Sequence, residues 1–194
     1  MRNKSSMAVA LLVAVTMFVV APAVAQAVPS WYSNGKLIPT GEVVPVETSG
    51  VLTFKVEKTT IKCSLKDFET IENDPNLTGL DLIQRFSLTG CASKVPLCPT
   101  GAQAEIIAEG LPWKSRLLAG PPIKDEITGI LFSVRCGGVV IDVYHGTLFP
   151  EVGKSILKFN AGSGVLINLK GNPVKVTGSD KLKGPPGDEK ITAA

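Results

Sequence analysis

The sequence is short of the groups that most enzymes depend on. His145 is its single histidine, and the chain has only two tryptophans and two tyrosines. A Ser-His-Asp hydrolase needs a base within reach of an activated serine. Gly162-Ser163-Gly164 lacks the glycines two before and two after the serine that build a nucleophile elbow. No glycine-rich phosphate loop occurs. Paired carboxylates of a glycosidase leave no sequence spacing to find, and few aromatics are available to line a sugar cleft. A large excess of charge of either sign is also lacking, since 20 basic residues face 17 acidic ones and the formal balance is only +3. Lysines and arginines are scattered rather than striped, which argues against nucleic acid or anionic lipid as the main ligand. Neither a cofactor nor a metal site is expected.

One long apolar run exists, from Met7 to Val20, behind Arg2 and Lys4 and ahead of the small residues APAVAQA. It is too short for a secure membrane span and has the three-part layout of a secretory signal peptide. Cleavage after Ala25 or Ala27 satisfies the small-x-small rule, and Ala27 is preferred. The route implied is general secretion with no lipid anchor. Residues 1–27 contain no acid, so the remaining 167 residues carry a net charge of +1. That length suits one domain.

All four cysteines, Cys63, Cys91, Cys98 and Cys136, follow the leader, and an even number in an exported chain reads as two disulfides. Of the three pairings, Cys91 with Cys98 and Cys63 with Cys136 is favoured. The first closes a short loop, and the second joins inward positions of apolar strands. Zinc is disfavoured by the C-x6-C spacing and the lone histidine.

What is abundant is β patterning. Glu126–Pro150 reads as two strands joined at Gly137-Gly138, a pair suited to the positive φ of a tight hairpin turn. Placing Cys136 opposite Val139 pairs Phe132 with Val143 and Ile130 with His145. His145 then lies on the apolar face, and Arg135 stands diagonal to Asp142. Upstream, 50–57 and 60–66 alternate cleanly, with Leu52, Phe54 and Val56, then Ile61, Cys63 and Leu65, on the inward side. Asp67–Asn76 follows as an acidic, turn-rich segment, expected as a solvated loop in preference to a calcium loop. Residues 82–91 return as a strand. Residues 104–120 form two short strands around a Gly-Leu-Pro corner, and 155–160, 164–170 and 173–178 add three more. The expectation is an all-β fold, an antiparallel β-sandwich or barrel of about 9–11 short strands. Its parts are a signal peptide (1–27), an extended lead-in (28–48), the β domain (49–183) and a flexible tail (184–194).

Three roles suit such a chain. The first is a non-catalytic extracellular or cell-envelope domain. The second is a carbohydrate or small-ligand module with Trp31, Tyr32, Trp113 and Tyr144 as ligand-facing aromatics, although packing is the favoured reading of Trp31, Tyr32 and Trp113. A carboxylate-dependent hydrolase is the third. The partners expected are the cell envelope or a polysaccharide, with no nucleic acid and no membrane anchor.

The segments WYSNG, GLPWKSRLLAGPPIKDEITGI, CGGVVIDVYHGTL and GSDKLKGPPGDEKITA together resemble a family of secreted all-β proteins of soil actinobacteria with no known activity. The resemblance spans nearly the whole chain after the leader. It implies secretion, disulfides and an all-β fold, and brings no catalytic residues with it.

Overall fold

A computed structural model describes residues 28–93, 98, 103–184 and 190–194. The segment expected as a signal peptide, with its cleavage site, lies outside the described residues. Those described contain fourteen strands and no helix.

Two small strands come first, β1 (Trp31–Ser33) and β2 (Lys36–Leu37). Three long ones follow, β3 (Val44–Val56), β4 (Thr59–Asn73) and β5 (Gly79–Ser93). The Gly-Leu-Pro corner separates β6 (Ala104–Glu109) from β7 (Trp113–Leu118). The expected hairpin is β8 (Lys124–Cys136) with β9 (Val139–Leu148). Then come β10 (Glu151–Gly153), β11 (Ile156–Phe159), β12 (Gly164–Ile167), β13 (Pro173–Lys183) and β14 (Ile191–Ala193).

The open choice between sandwich and barrel resolves to a barrel. Eight strands hydrogen-bond around a circuit, β3-β4-β5-β7-β8-β9-β12-β13, and β13 returns to β3 over nine residue pairs from Lys175↔Lys55 to Lys183↔Glu47. Closure removes the free edges that an open sheet would expose. The seam is tight: a Cβ on Gly178, whose φ is +143°, would run into the Val51 carbonyl. β6 pairs with the far half of β8, while β10 and β11 bridge β8 to β13 at the other end.

Strand alternation decides what lies inside. Even positions of β3 and odd positions of β4 point inward, giving Val46, Leu52 and Phe54 against Ile61, Leu65 and Ile71. An aromatic group fills the middle. Phe132 meets Phe54 edge-on at 5.4 Å and Trp113 edge-on at 5.2 Å, with Phe86 5.5 Å away and Tyr144 beside Phe54 at 6.2 Å. Edge-to-face contacts of this kind are favourable beyond the area they bury.

One end of the barrel is capped. β14 pairs with β1 and β1 with β2, so the C-terminal residues expected as a flexible tail instead supply Ile191 to the core. Asn73 fastens this cap to the end of β4. Its Oδ1 accepts from the Trp31 N–H at 2.7 Å, and its Nδ2 donates to the carbonyls of Trp31 and Ile38 at 3.0 and 2.8 Å.

The structure corrects five local expectations. In the hairpin, Ile141 is an extra residue opposite the Val134–Arg135 step, so Phe132 faces Tyr144 rather than Val143. His145 consequently pairs with Leu131 and is exposed, not inward. Arg135 bonds Glu109 at 2.7 Å instead of meeting Asp142. The acidic stretch from Asp67 to Asn73 is no loop but the second half of β4. The disulfides are Cys63–Cys91 and Cys98–Cys136. Cys63 and Cys91 face each other across β4 and β5, where the register slips at Lys62/Ser64, and this proximity decides the pairing.

Two measurements check this arrangement. Peptide mapping without reduction should return the Cys63–Cys91 and Cys98–Cys136 cross-links, each contributing about 4 kcal/mol by loop entropy. Asn73→Ala takes the side-chain partner from the buried Trp31 N–H and the Ile38 carbonyl and one of two donors from the Trp31 carbonyl, which keeps the Ile38 N–H. This is a loss of about 3 kcal/mol that should lower Tm by roughly 10 °C.

Candidate functional site

Between the cap and the aromatic middle, the same alternation directs acids inward. β4 contributes Asp67 and Glu69, β5 Asp81, β8 Asp125 and β13 Asp180, joined by the hydroxyls of Thr48 from β3 and Ser115 from β7. Glu69, Asp125 and Asp180 are at most 1% exposed, and Asp67 reaches 9%. No Lys, Arg or His is among the buried residues described, so no side-chain cation balances them.

The group is organised as two pairs with Glu69 between them. Thr48 Oγ1 lies 2.6 Å from Asp67 Oδ1 and in still closer contact with Asp180 Oδ2. A hydroxyl has one proton to donate, so one of these carboxyls must supply a second. Ser115 Oγ donates to Asp125 Oδ1, and Asp81, whose register partner is Ser115, lies beside Asp125. Both oxygens of Glu69 and of Asp81, with Asp125 Oδ2 and Asp180 Oδ1, have no protein donor.

Burial in this setting favours the neutral acid. Loss of water pushes Asp81 up to about 6, moderated by Ser115 and Asp125 beside it. Burial likewise takes Asp180 to about 6, with Thr48 and Asp67 holding it down. Asp67, Glu69 and Asp125 are raised well above the ordinary carboxylate range, first by burial and then by the neighbouring charges of Asp180, Asp81 and Asp81 respectively. Chemically the site is a store of shared protons. Among the described residues no three His, Cys, Asp or Glu side chains gather in a way that would hold a metal ion.

Access to it is narrow. Two outer grooves, of about 360 and 500 Å³, border Thr48–Asp67 and Asp81–Ser115. Their other walls include outward side chains such as Lys66, Phe68 and Arg85, or Thr70, Leu82 and Lys114. They therefore meet the backs of the strands that carry the carboxyls. Glycosidase carboxyls stand roughly 5–9.5 Å apart around a sugar; here Asp67 and Asp180 share the Thr48 hydroxyl, and Asp81 lies beside Asp125.

The residues expected to face a ligand do other work. Trp31, Trp113 and Tyr144 are core residues, at most 2% exposed, and do not form a binding platform. Trp31 plugs the capped end, Trp113 donates its Nε1–H to the Glu109 carbonyl at 3.0 Å, and burial pushes the Tyr144 hydroxyl up to about 12. Tyr32 alone of the four is half-exposed, on β1. The structure does not bring these aromatics together on one face.

The carboxyl cluster escaped the sequence reading, yet a signal existed. Extending Ile61-Cys63-Leu65 by the same step of two reaches Asp67, Glu69 and Ile71. Val174-Val176 extends in the same way to Gly178, Asp180 and Leu182.

No family model, curated protein or solved structure matches the chain.

The cluster makes stability pH-dependent with a definite sign. A carboxyl whose folded pKa is raised stabilises the fold fully below the ordinary value of 3.8 and loses that contribution as pH rises through about 6. The swing is on the order of 3 kcal/mol each for Asp81 and Asp180. Thermal melts should show Tm falling from about pH 4 to about pH 7, and Glu69→Gln should raise Tm at the upper end while leaving the lower unchanged.

Proposed function

We propose that this chain is an exported, non-catalytic β-barrel protein of the extracellular space or cell envelope. The observation that carries this reading is where its reactive groups lie. The five acids that stand closest together, the arrangement most suggestive of acid-base chemistry, are enclosed by the barrel wall with at most 9% exposure. General acids and bases must come within hydrogen-bond reach of a substrate. The exposed His145 has no orienting carboxylate beside it on its strand.

Export is supported by the leader-like N-terminal sequence and by two disulfides, which persist in oxidising compartments. No helix among the described residues is long and apolar enough to cross a membrane. The resemblance to secreted all-β proteins of soil actinobacteria points the same way. A closed barrel tied by cross-links, with a proton-rich interior that gains stability in acid, suits a protein exposed to uncontrolled surroundings.

The test is fractionation of a host expressing the whole chain, combined with N-terminal sequencing. Recovery outside the cytosol with Val28 at the N-terminus is expected. Recovery from cytosol alone, with free thiols, overturns export. The purified protein should leave chromogenic glycoside, ester and peptide substrates unchanged. Turnover that Asp125→Asn abolishes would make it an enzyme.

A further inference from the structure

The end of the barrel opposite the cap is built from loops, and their surface differs from the rest. Val139, Val140 and Ile141 are consecutive exposed residues, 67%, 47% and 41% accessible. The extra residue at Ile141 interrupts the alternation that would have turned one of them inward. Leu169, 65% exposed on the β12–β13 connection, stands beside them. Its N–H donates to Asp142 Oδ1 at 3.2 Å, and Asn168 Nδ2 donates to the other oxygen of that carboxylate at 3.1 Å. Asn172 Nδ2 then donates to Glu57 Oε1 at 2.7 Å, linking this connection to the β3–β4 turn. Three loops are thus bound into one surface.

The chain folds lysines that look scattered in sequence around that surface. Lys58 lies in the β3–β4 turn and Lys170 in the β12–β13 connection. Lys55, Lys62 and Lys175 point outward from the adjoining strand ends, Lys55 directly opposite Lys175. All five are exposed, and among the described residues none forms an ion pair. Glu57 and Asp142 accept their hydrogen bonds from neutral amides and keep their charge, and Glu105 on β6 stands opposite Arg135 on β8. Cations therefore outnumber carboxylates at this end, and Lys55 faces Lys175 with no ion pair to either among the described residues. Like charges placed opposite each other without a counter-charge are unfavourable unless an anionic partner supplies it.

From this juxtaposition we propose that the loop end docks on an anionic lipid bilayer, with Val139, Val140, Ile141 and Leu169 entering the headgroup boundary and the five lysines meeting lipid phosphates. Protruding apolar side chains ringed by cations match that interface, whose outer layer is negative and whose interior is apolar. A second copy is a poor occupant, because it would bring ten lysines together. The cap at the far end holds Ser30 and the C-terminal Ala194 away from the lipid. This deepens the envelope reading and rests on it for the compartment, while the docking itself is tested with lipid alone.

The purified chain is sedimented with vesicles of phosphatidylcholine, and with vesicles of phosphatidylcholine and phosphatidylglycerol in equal parts. Binding only to the anionic vesicles, weakening with salt, is expected. Each lysine near such a surface contributes about fivefold, so Lys58→Glu with Lys170→Glu should weaken binding at least about twentyfold. Val139→Ser with Val140→Ser should also weaken it, and Val140→Trp should shift its emission to the blue when vesicles bind. Leu169→Ser replaces the valine pair if that variant melts early. Absence of binding, equal binding to neutral vesicles, or binding untouched by these variants overturns the proposal. Full competition by soluble polyphosphate without a blue shift also overturns it and makes the patch a polyanion receptor. Vesicle binding by a chain found only in cytosol would leave the docking standing and remove export.

Discussion

The seam between β13 and β3 is the constraint on which the rest depends. Nine residue pairs close the sheet on itself, and once it is closed each strand has only an inside and an outside. Every second residue must then be accommodated in a fixed volume. Gly50 and Gly178 permit that closure, since a side chain on either would strike the opposite backbone. A looser seam would leave an open, twisted sheet with two edges, and the aromatic middle would lose one wall.

Given that closure, the interior divides into zones along the axis. Trp31 and Ile191 stop one end, the acids follow, the aromatic cluster occupies the middle, and the loops finish the other end. The disulfides serve the loop half: Cys63–Cys91 bridges β4 and β5 beside the register slip, and Cys98–Cys136 joins Cys98 to the tip of β8. The acidic zone has no such covalent support. It lies instead beneath the cap, where the three hydrogen bonds of Asn73 resist opening.

Much of this architecture was legible in the sequence. The strands at 50–57, 104–120 and 126–148 announce themselves because their inward residues are apolar and period two is then visible. Asp67–Asn73 hid because its inward residues other than Ile71 are polar, so hydropathy fell while the geometry of the strand continued unchanged. The hairpin face was misassigned for a different reason. A two-glycine turn sets register at the tip, but the extra residue at Ile141 resets it, and no side-chain pattern marks that insertion. Cysteine pairing depended on that same contact geometry. The cap required Ile191 to return across the whole chain to Trp31, a separation that local pattern cannot encode.

The absence of any buried cation beside the five acids reaches beyond the folded state. A chain unfolded near pH 5 carries these groups largely as hydrated anions, while in the closed barrel Asp81 and Asp180, pushed up to about 6, are largely neutral acids. Completing the fold therefore draws hydrogen ions out of the surrounding solution. The heat released on refolding must then include the ionisation heat of whichever buffer donates them. Assembly of this barrel is an acid-consuming reaction, coupled to its medium through groups that the finished surface almost entirely conceals.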